Sequence, residues 1–117
     1  DLPHATALAK QSLKLCHLLR EREVLAECLE LLVVAAAKEG AYERAARMSG
    51  AAHALWEALH ITHSLAHYSA AKHAEVAAAL RLNLPASVFS DHWQQGRKLN
   101  LDALVAFALE NSVEHAA

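Results

Sequence analysis

The stretch "ECLELLVVAAAKEGAYERAARMSGAAHALWEAL", residues 27–59, decides how this chain is read. Leading into Gly40, Leu25, Leu29, Leu32 and Ala36 step by four, three and four. Beyond it, Ala45, Met48, Ala52, Leu55 and Leu59 step by three, four, three and four. Each series marks one buried stripe of a helix. Gly40 stands where the first stripe stops, so the pattern predicts helix two over about 22–39, a glycine stop, and helix three over about 41–60. Two long helices joined by so short a turn lie antiparallel as an αα-hairpin. The small residues Ala45, Ala46 and Ala52 let the backbones approach. Gly50, inside helix three, costs roughly 1 kcal/mol relative to alanine. A close helix crossing would compensate that cost; a ligand approaching the backbone is the alternative.

Working outward, helix one is predicted over about 3–19, with Pro3 in its first turn and Leu8, Leu15 and Leu18 or Leu19 as its stripe, Ser12 leaving a gap. "REREV" at 20–24 is a tight corner. After His60 the pattern loosens. Ser64 is a candidate cap for helix four, over about 65–81, with Tyr68, Ala71, Ala74, Ala78 and Leu82 on one side. Pro85 disfavours helix at Leu84 and separates a short helix five, about 86–96, carrying Phe89, Trp93 and Gly96 at spacings of four and three. Asn100 caps helix six, with Asp102 near the positive end of its dipole and Leu101, Leu104, Val105 and Ala108 on its buried side. The tail "NSVEHAA" is expected to fray.

Composition agrees with an all-α chain. Of 117 residues, 27 are alanine, while Val, Ile and Thr together number ten and Gly and Pro five. That balance builds closely spaced helices and disfavours a sheet. The length suits one domain with a modest core, repeat-like over 1–60 and closed by capping helices over 61–117. The chain begins with Asp1 rather than Met, as a fragment of a longer protein would. A net charge of −2 with interspersed signs lacks the basic footprint of a nucleic-acid-binding domain. No apolar run reaches membrane-spanning length and no positively charged leader precedes the first helix, which points to the cytoplasm.

Residues 27–59 resemble a tetratricopeptide-type repeat, through Leu29, Leu32 and Val33 in the first helix, Gly40 and Tyr42 at the turn, and Ala45 and Ala52 in the second. More narrowly, Arg44, Ala45, Ala46, Arg47, Gly50, Ala51, Ala52, Leu55 and Leu59, followed by Phe89, Trp93, Gly96, Leu99, Ala103 and Val105, are similar to a C-terminal region of bacterial LuxR-type transcriptional regulators and related signal-transduction ATPases. The resemblance covers roughly residues 5–110. It implies a tetratricopeptide-like array of helical hairpins with C-terminal capping helices. It also implies a non-catalytic role in protein–protein contact or signal sensing, with a protein partner, other domains of the parent regulator or a second copy as occupant. No Gly-rich phosphate loop is present in the sequence, so nucleotide chemistry would belong to other parts of such a regulator.

Few residue groups suggest chemistry. His60, His63 and His67 would align on a continuous helix, yet no Cys or carboxylate joins them, and solvated histidines are the plainer reading. Cys16 and His17 point about 100° apart on a helix and cannot cooperate simply; Cys16 and Cys28 read as buried thiols without a special role. No constellation supports an enzyme, and no cofactor or metal is expected. Glu43 and Arg47 are spaced for a solvated ion pair. The candidate residues for a ligand or partner groove are Arg44, Arg47, Trp56 and Tyr68. Trp56 packs on helix four or lines a groove. A small-molecule pocket between helices three to five, walled by Trp56, Tyr68 and Trp93, is the alternative function. Trp93 itself is expected to pack against helices three and four, with Gly96 permitting the close crossing or the turn.

Overall fold

A computed structural model describes residues 2–59 and 66–110, the side chains of 66–74 excepted. The protein is all-α: helices α1 (Leu2–Leu19), α2 (Arg22–Lys38), α3 (Tyr42–Ala58), α4 (Ala66–Asn83), α5 (Ala86–Arg97) and α6 (Leu101–Leu109), with no strand among the described residues. The first three pack in sequence as neighbours, α5 crosses α3, and α6 reaches from α3 to α1. The predicted Ser64 cap and the tail "NSVEHAA" lie outside the described residues.

The two turns of the array share one geometry. At the end of α2, Gly40 adopts φ +82°, Ala41 N donates to Ala36 O at 2.9 Å, and Gly40 N donates to Ala37 O at 3.1 Å. This pair of bonds is the Schellman motif, which satisfies carbonyls that a helix end would leave unpaired. At the end of α1 the same bonds recur twenty residues earlier: Glu21 N to Cys16 O at 2.9 Å and Arg20 N to His17 O at 3.3 Å. Arg20 holds the left-handed position there with φ 61°, a conformation that costs an L-residue roughly 1–2 kcal/mol. The corner expected at 20–24 is therefore tighter than "REREV" suggests, and α2 begins at Arg22.

The stripe predicted for α1 is inverted. Ala9, Leu13 and Cys16 are the buried residues of α1, whereas Leu8, Leu15, Leu18 and Leu19 are 50, 56, 79 and 63% exposed. Leu8, Leu15 and Leu19 fall within about 20° of one line on a helical wheel, roughly 100° from the buried stripe. α1 thus has two apolar faces, and the richer one points outward. A smaller correction applies to α4: Leu82 is exposed, while Leu80 is buried and Val76 and Leu84 pack against the core. Asn83 Nδ2 donates to Ala79 O at 2.7 Å, which closes the last turn and carries the helix two residues past the predicted end. In α3, the buried set is Ala45, Ala46, Met48, Gly50, Ala51 and Ala52, with Leu55 packed against it.

Gly50 answers to the close crossing. A Cβ at Gly50 would lie 2.8 Å from the carbonyl carbon of Trp93, and a Cβ at Gly96 would lie 2.8 Å from the carbonyl carbon of Arg47 and 3.1 Å from Ala51 N. Arg47 pairs with Gly96 while Gly50 pairs with Trp93, so α3 and α5 run antiparallel through the contact with each glycine seated on the other helix's backbone. At this separation only hydrogen fits, which offsets the helix-propensity cost of glycine.

Candidate interaction surface

Of the four residues proposed for a groove, Arg44 and Arg47 come together, Trp56 stands apart, and the Tyr68 side chain lies outside the described residues. Arg44 is a structural clamp. Its Nη2 donates to the carbonyl oxygens of Phe107, Ala108 and Glu110 at 2.9, 3.2 and 3.0 Å, and its Nη1 lies 3.6 Å from Glu110 Oε2. These carbonyls belong to the last turn and C-cap of α6, where helices run short of backbone donors; Phe107 O also accepts from Glu110 N, and Glu110 O from Lys10 Nζ, each at 3.1 Å, and a cation is favoured at that negative end of the helix dipole. The guanidinium also sits 4.7 Å from the centre of the Phe107 ring. Burial lowers the Arg44 pKa, and Glu110 opposes that shift.

The N-terminus of α6 is held as firmly. Asn100 accepts from Ala103 N at 2.8 Å, as predicted, and Asp102 meets His17 Nε2 of α1 at 3.1 Å. A nine-residue helix is too short to persist alone in water; bonds at both ends and the burial of Leu104, Val105 and Ala108 hold it.

The predicted Glu43–Arg47 pair is replaced by contacts with α5. Arg47 Nη2 donates to His92 Nδ1 at 2.7 Å, and His92 Nε2 faces Glu43 Oε2 at 3.8 Å. With Nδ1 accepting, the proton of the neutral ring sits on Nε2, toward the carboxylate. Arg47 also stacks on the Phe107 ring, 5.3 Å from its centre. Around this cluster is an open cleft of about 460 Å³, lined by Tyr42, Arg44, Arg47, Leu84, His92 and Phe107 among others. Its arginines join α3 to α5 and α6, while Arg44 Nη1 and Arg47 Nε are buried without a hydrogen-bond partner among the described residues.

Trp56 Nε1 donates to Glu30 Oε1 of α2 at 3.1 Å, a partner the expected packing on helix four did not foresee. Trp93 divides its roles. Its backbone carbonyl abuts Gly50, while its half-buried ring lies 5.4 Å from the His53 ring and 5.0 Å from the Arg97 guanidinium. Arg97 in turn meets Glu57 Oε1 at 2.7 Å, a hydrogen bond that holds the Glu57 carboxyl below its usual range. The Trp93 ring also borders a second cleft of about 320 Å³, with Val33, Ala52, Val76, Leu80 and Phe89.

Cys16 and Cys28 are free and buried, as the sequence suggests, and they lie in contact with each other. Burial, followed by the neighbouring Cys16, pushes the Cys28 thiol up to about 11. A thiol held protonated at neutral pH is a poor nucleophile and metal ligand. Among the described residues no group of His, Cys, Asp and Glu is placed to hold a metal, and no helix is long and apolar enough to cross a membrane. The His60, His63 and His67 set lies outside the residues whose side chains are described.

The surface that sequence reasoning missed is the outer face of α1. Leu8, Leu15 and Leu19 form a continuous exposed line, with Ser12 between the first two and Leu18 beside the last. Single exposed leucines are ordinary, whereas this aligned set makes one contiguous apolar patch. The signal was present as leucine spacing and was assigned to the wrong side. No protein-family model, curated protein or solved structure matches the chain.

Proposed function

We propose that this chain is a non-catalytic helical-array module for protein–protein contact, working in the cytoplasm as part of a bacterial transcriptional regulator or signalling ATPase. The observation that carries the contact role is the leucine line on α1, which exposes apolar area at a cost that a partner would recover: burying a leucine side chain stabilises by roughly 1.5–3 kcal/mol. The regulator context rests on the resemblance of the Arg44–Leu59 and Phe89–Val105 patterns. A photo-crosslinking residue placed at position 15 in cells making the parent protein is expected to yield a discrete protein adduct, inter- or intramolecular. The same residue at Ser90, exposed on α5, should yield none. Absence of any adduct at position 15, or equal labelling at both positions, would remove the contact role.

A second reading has one observation in its favour. The 320 Å³ cleft with Phe89 and Trp93 on its wall has the apolar lining and size of a small-ligand site. A metabolite that quenches tryptophan fluorescence and raises the melting temperature, with both effects lost in Leu80→Trp, would favour it.

A further inference from the structure

We propose that the cleft of about 460 Å³ at the start of α3 binds a small organic monocarboxylate, whose carboxylate meets Arg47 and the first-turn amides of α3 and whose apolar body lies against Tyr42 and Leu84. This site is separate from the α1 surface and from the 320 Å³ cleft, and it depends on neither.

Two sets of donors converge on the cleft. α3 opens on Ala41, which offers no side-chain cap, so the amides of Tyr42, Glu43 and Arg44 have no acceptor within the helix. Gly40, Ala41, Tyr42 and Glu43 line the cleft, which puts the positive end of the helix dipole on its wall. A helix end alone makes no site, and the second set of donors is independent of it. Side chains on a helix lean toward its N-terminus, so Arg47 reaches back over the first turn. Its contacts among the described residues are both uncharged: Nη2 donates to His92 Nδ1 at 2.7 Å, and the guanidinium lies 5.3 Å from the centre of the Phe107 ring. Arg47 Nε is buried with no acceptor among the described residues, as is Arg44 Nη1. A half-buried guanidinium with neutral neighbours is a state that an entering carboxylate improves.

Charge selects the class of ligand. Among the lining side chains, Arg44 and Arg47 stand against Glu43, while His92, with Nδ1 accepting, is neutral; one positive charge is left over. Glu110 lies 3.6 Å from Arg44, and Glu39 acts on Arg44 as well, so the uncompensated charge is that of Arg47. A single positive charge suits a monoanion. The second charge of a phosphate dianion would face Glu43, whose side chain is 63% exposed on the rim. Tyr42, Leu84 and Phe107 pack against the core, so the rest of the wall is apolar and held in place. An acid with a short apolar body fits a cleft of this size.

Phenylacetate is a suitable probe. Titrated into the ¹⁵N-labelled protein, it should shift the Arg47 Nε–H resonance and the amides of Tyr42, Glu43 and Arg44 along one saturating curve, with a Kd on the order of 1 mM. Phenylacetamide, its uncharged counterpart, should bind at least about tenfold more weakly, since it lacks the charge-assisted bonds. Inorganic phosphate should also bind more weakly. Arg47→Gln should abolish the shifts, but Arg47 also joins α3 to α5, so Glu43→Gln is the deciding variant. Removing that rim carboxylate should tighten phenylacetate about two- to fivefold at low salt, a gain that loss of structure cannot produce. The proposal is overturned if phenylacetate does not saturate by about 20 mM, if phenylacetamide or phosphate binds as tightly, or if Glu43→Gln leaves the affinity unchanged or lowers it. Saturable shifts centred on Val33, Phe89 and Trp93 would overturn it too, by moving the ligand to the other cleft.

Discussion

Gly96→Ala is expected to lower the melting temperature by roughly 10 °C or more, as is Gly50→Ala, corresponding to about 2–3 kcal/mol for a domain near this size. On propensity alone both changes should help, because alanine is worth about 1 kcal/mol over glycine inside a helix. The sign reverses because the added methyl would meet the Arg47 carbonyl at Gly96, or the Trp93 carbonyl at Gly50. Those neighbours are backbone, not the ends of flexible side chains, so α3 and α5 would have to separate. Separation unseats Phe89 and the Arg47–His92 bond, which depend on the same approach. Gly40→Ala provides the contrast. Nothing lies within 4 Å of a Cβ there, and the cost is confined to the left-handed backbone, about 1 kcal/mol. Chemical denaturation of the three variants under one protocol orders them; near-equal losses at all three would argue against a backbone crossing.

Arg44→Ala is expected to cost about 2–4 kcal/mol, since hydrogen bonds from a charged donor contribute roughly 1.5–3 kcal/mol each and do not sum fully. The loss should be local first. Without the donor, the Phe107, Ala108 and Glu110 carbonyls lose their partner on α3, and α6 is left with its Asn100 cap, its apolar stripe and the contacts of Asp102 and Glu110 with His17 and Lys10 of α1. Amide hydrogen exchange should therefore accelerate across Leu101–Leu109 well before α2 or α3 responds. Arg44→Lys should restore less than half, because an ammonium cannot reproduce the planar fork or its stacking on Phe107. Unchanged protection of α6 in Arg44→Ala would return Arg44 to the role of a groove residue.

The hairpin of α2 and α3 was legible because two features coincide there: an apolar helical period on each side of the turn, and a glycine where that turn takes a positive φ. The cap at Asn100 was legible as a local signal, and a close crossing was one of the two readings that Gly50 and Gly96 each offered. α1 was misread because its two faces compete. Leu8, Leu15 and Leu19 outweigh Ala9, Leu13 and Cys16 in hydrophobicity, yet the choice of inner face is made by α2, which needs small residues where the helices touch. Periodicity finds the stripes and cannot rank them. The bonds of Arg44 to the end of α6 were not legible because its partners are 63 to 66 residues away, and nothing near it announces a helix end in need of a donor. The exposed apolar face became visible only once the leucine line was placed outside.

Everything proposed for that surface depends on which leucines of α1 face inward, and two substitutions decide it. Leu13 is 0% exposed and Leu15 is mostly exposed. The thermal and urea melts of Leu13→Ala should show a loss of about 3 kcal/mol, as for other leucines removed from a core. Those of Leu15→Ala should stay within about 0.5 kcal/mol of the parent. A Leu15→Ala loss equal to or larger than that of Leu13→Ala would turn α1 over and remove the contact face with it.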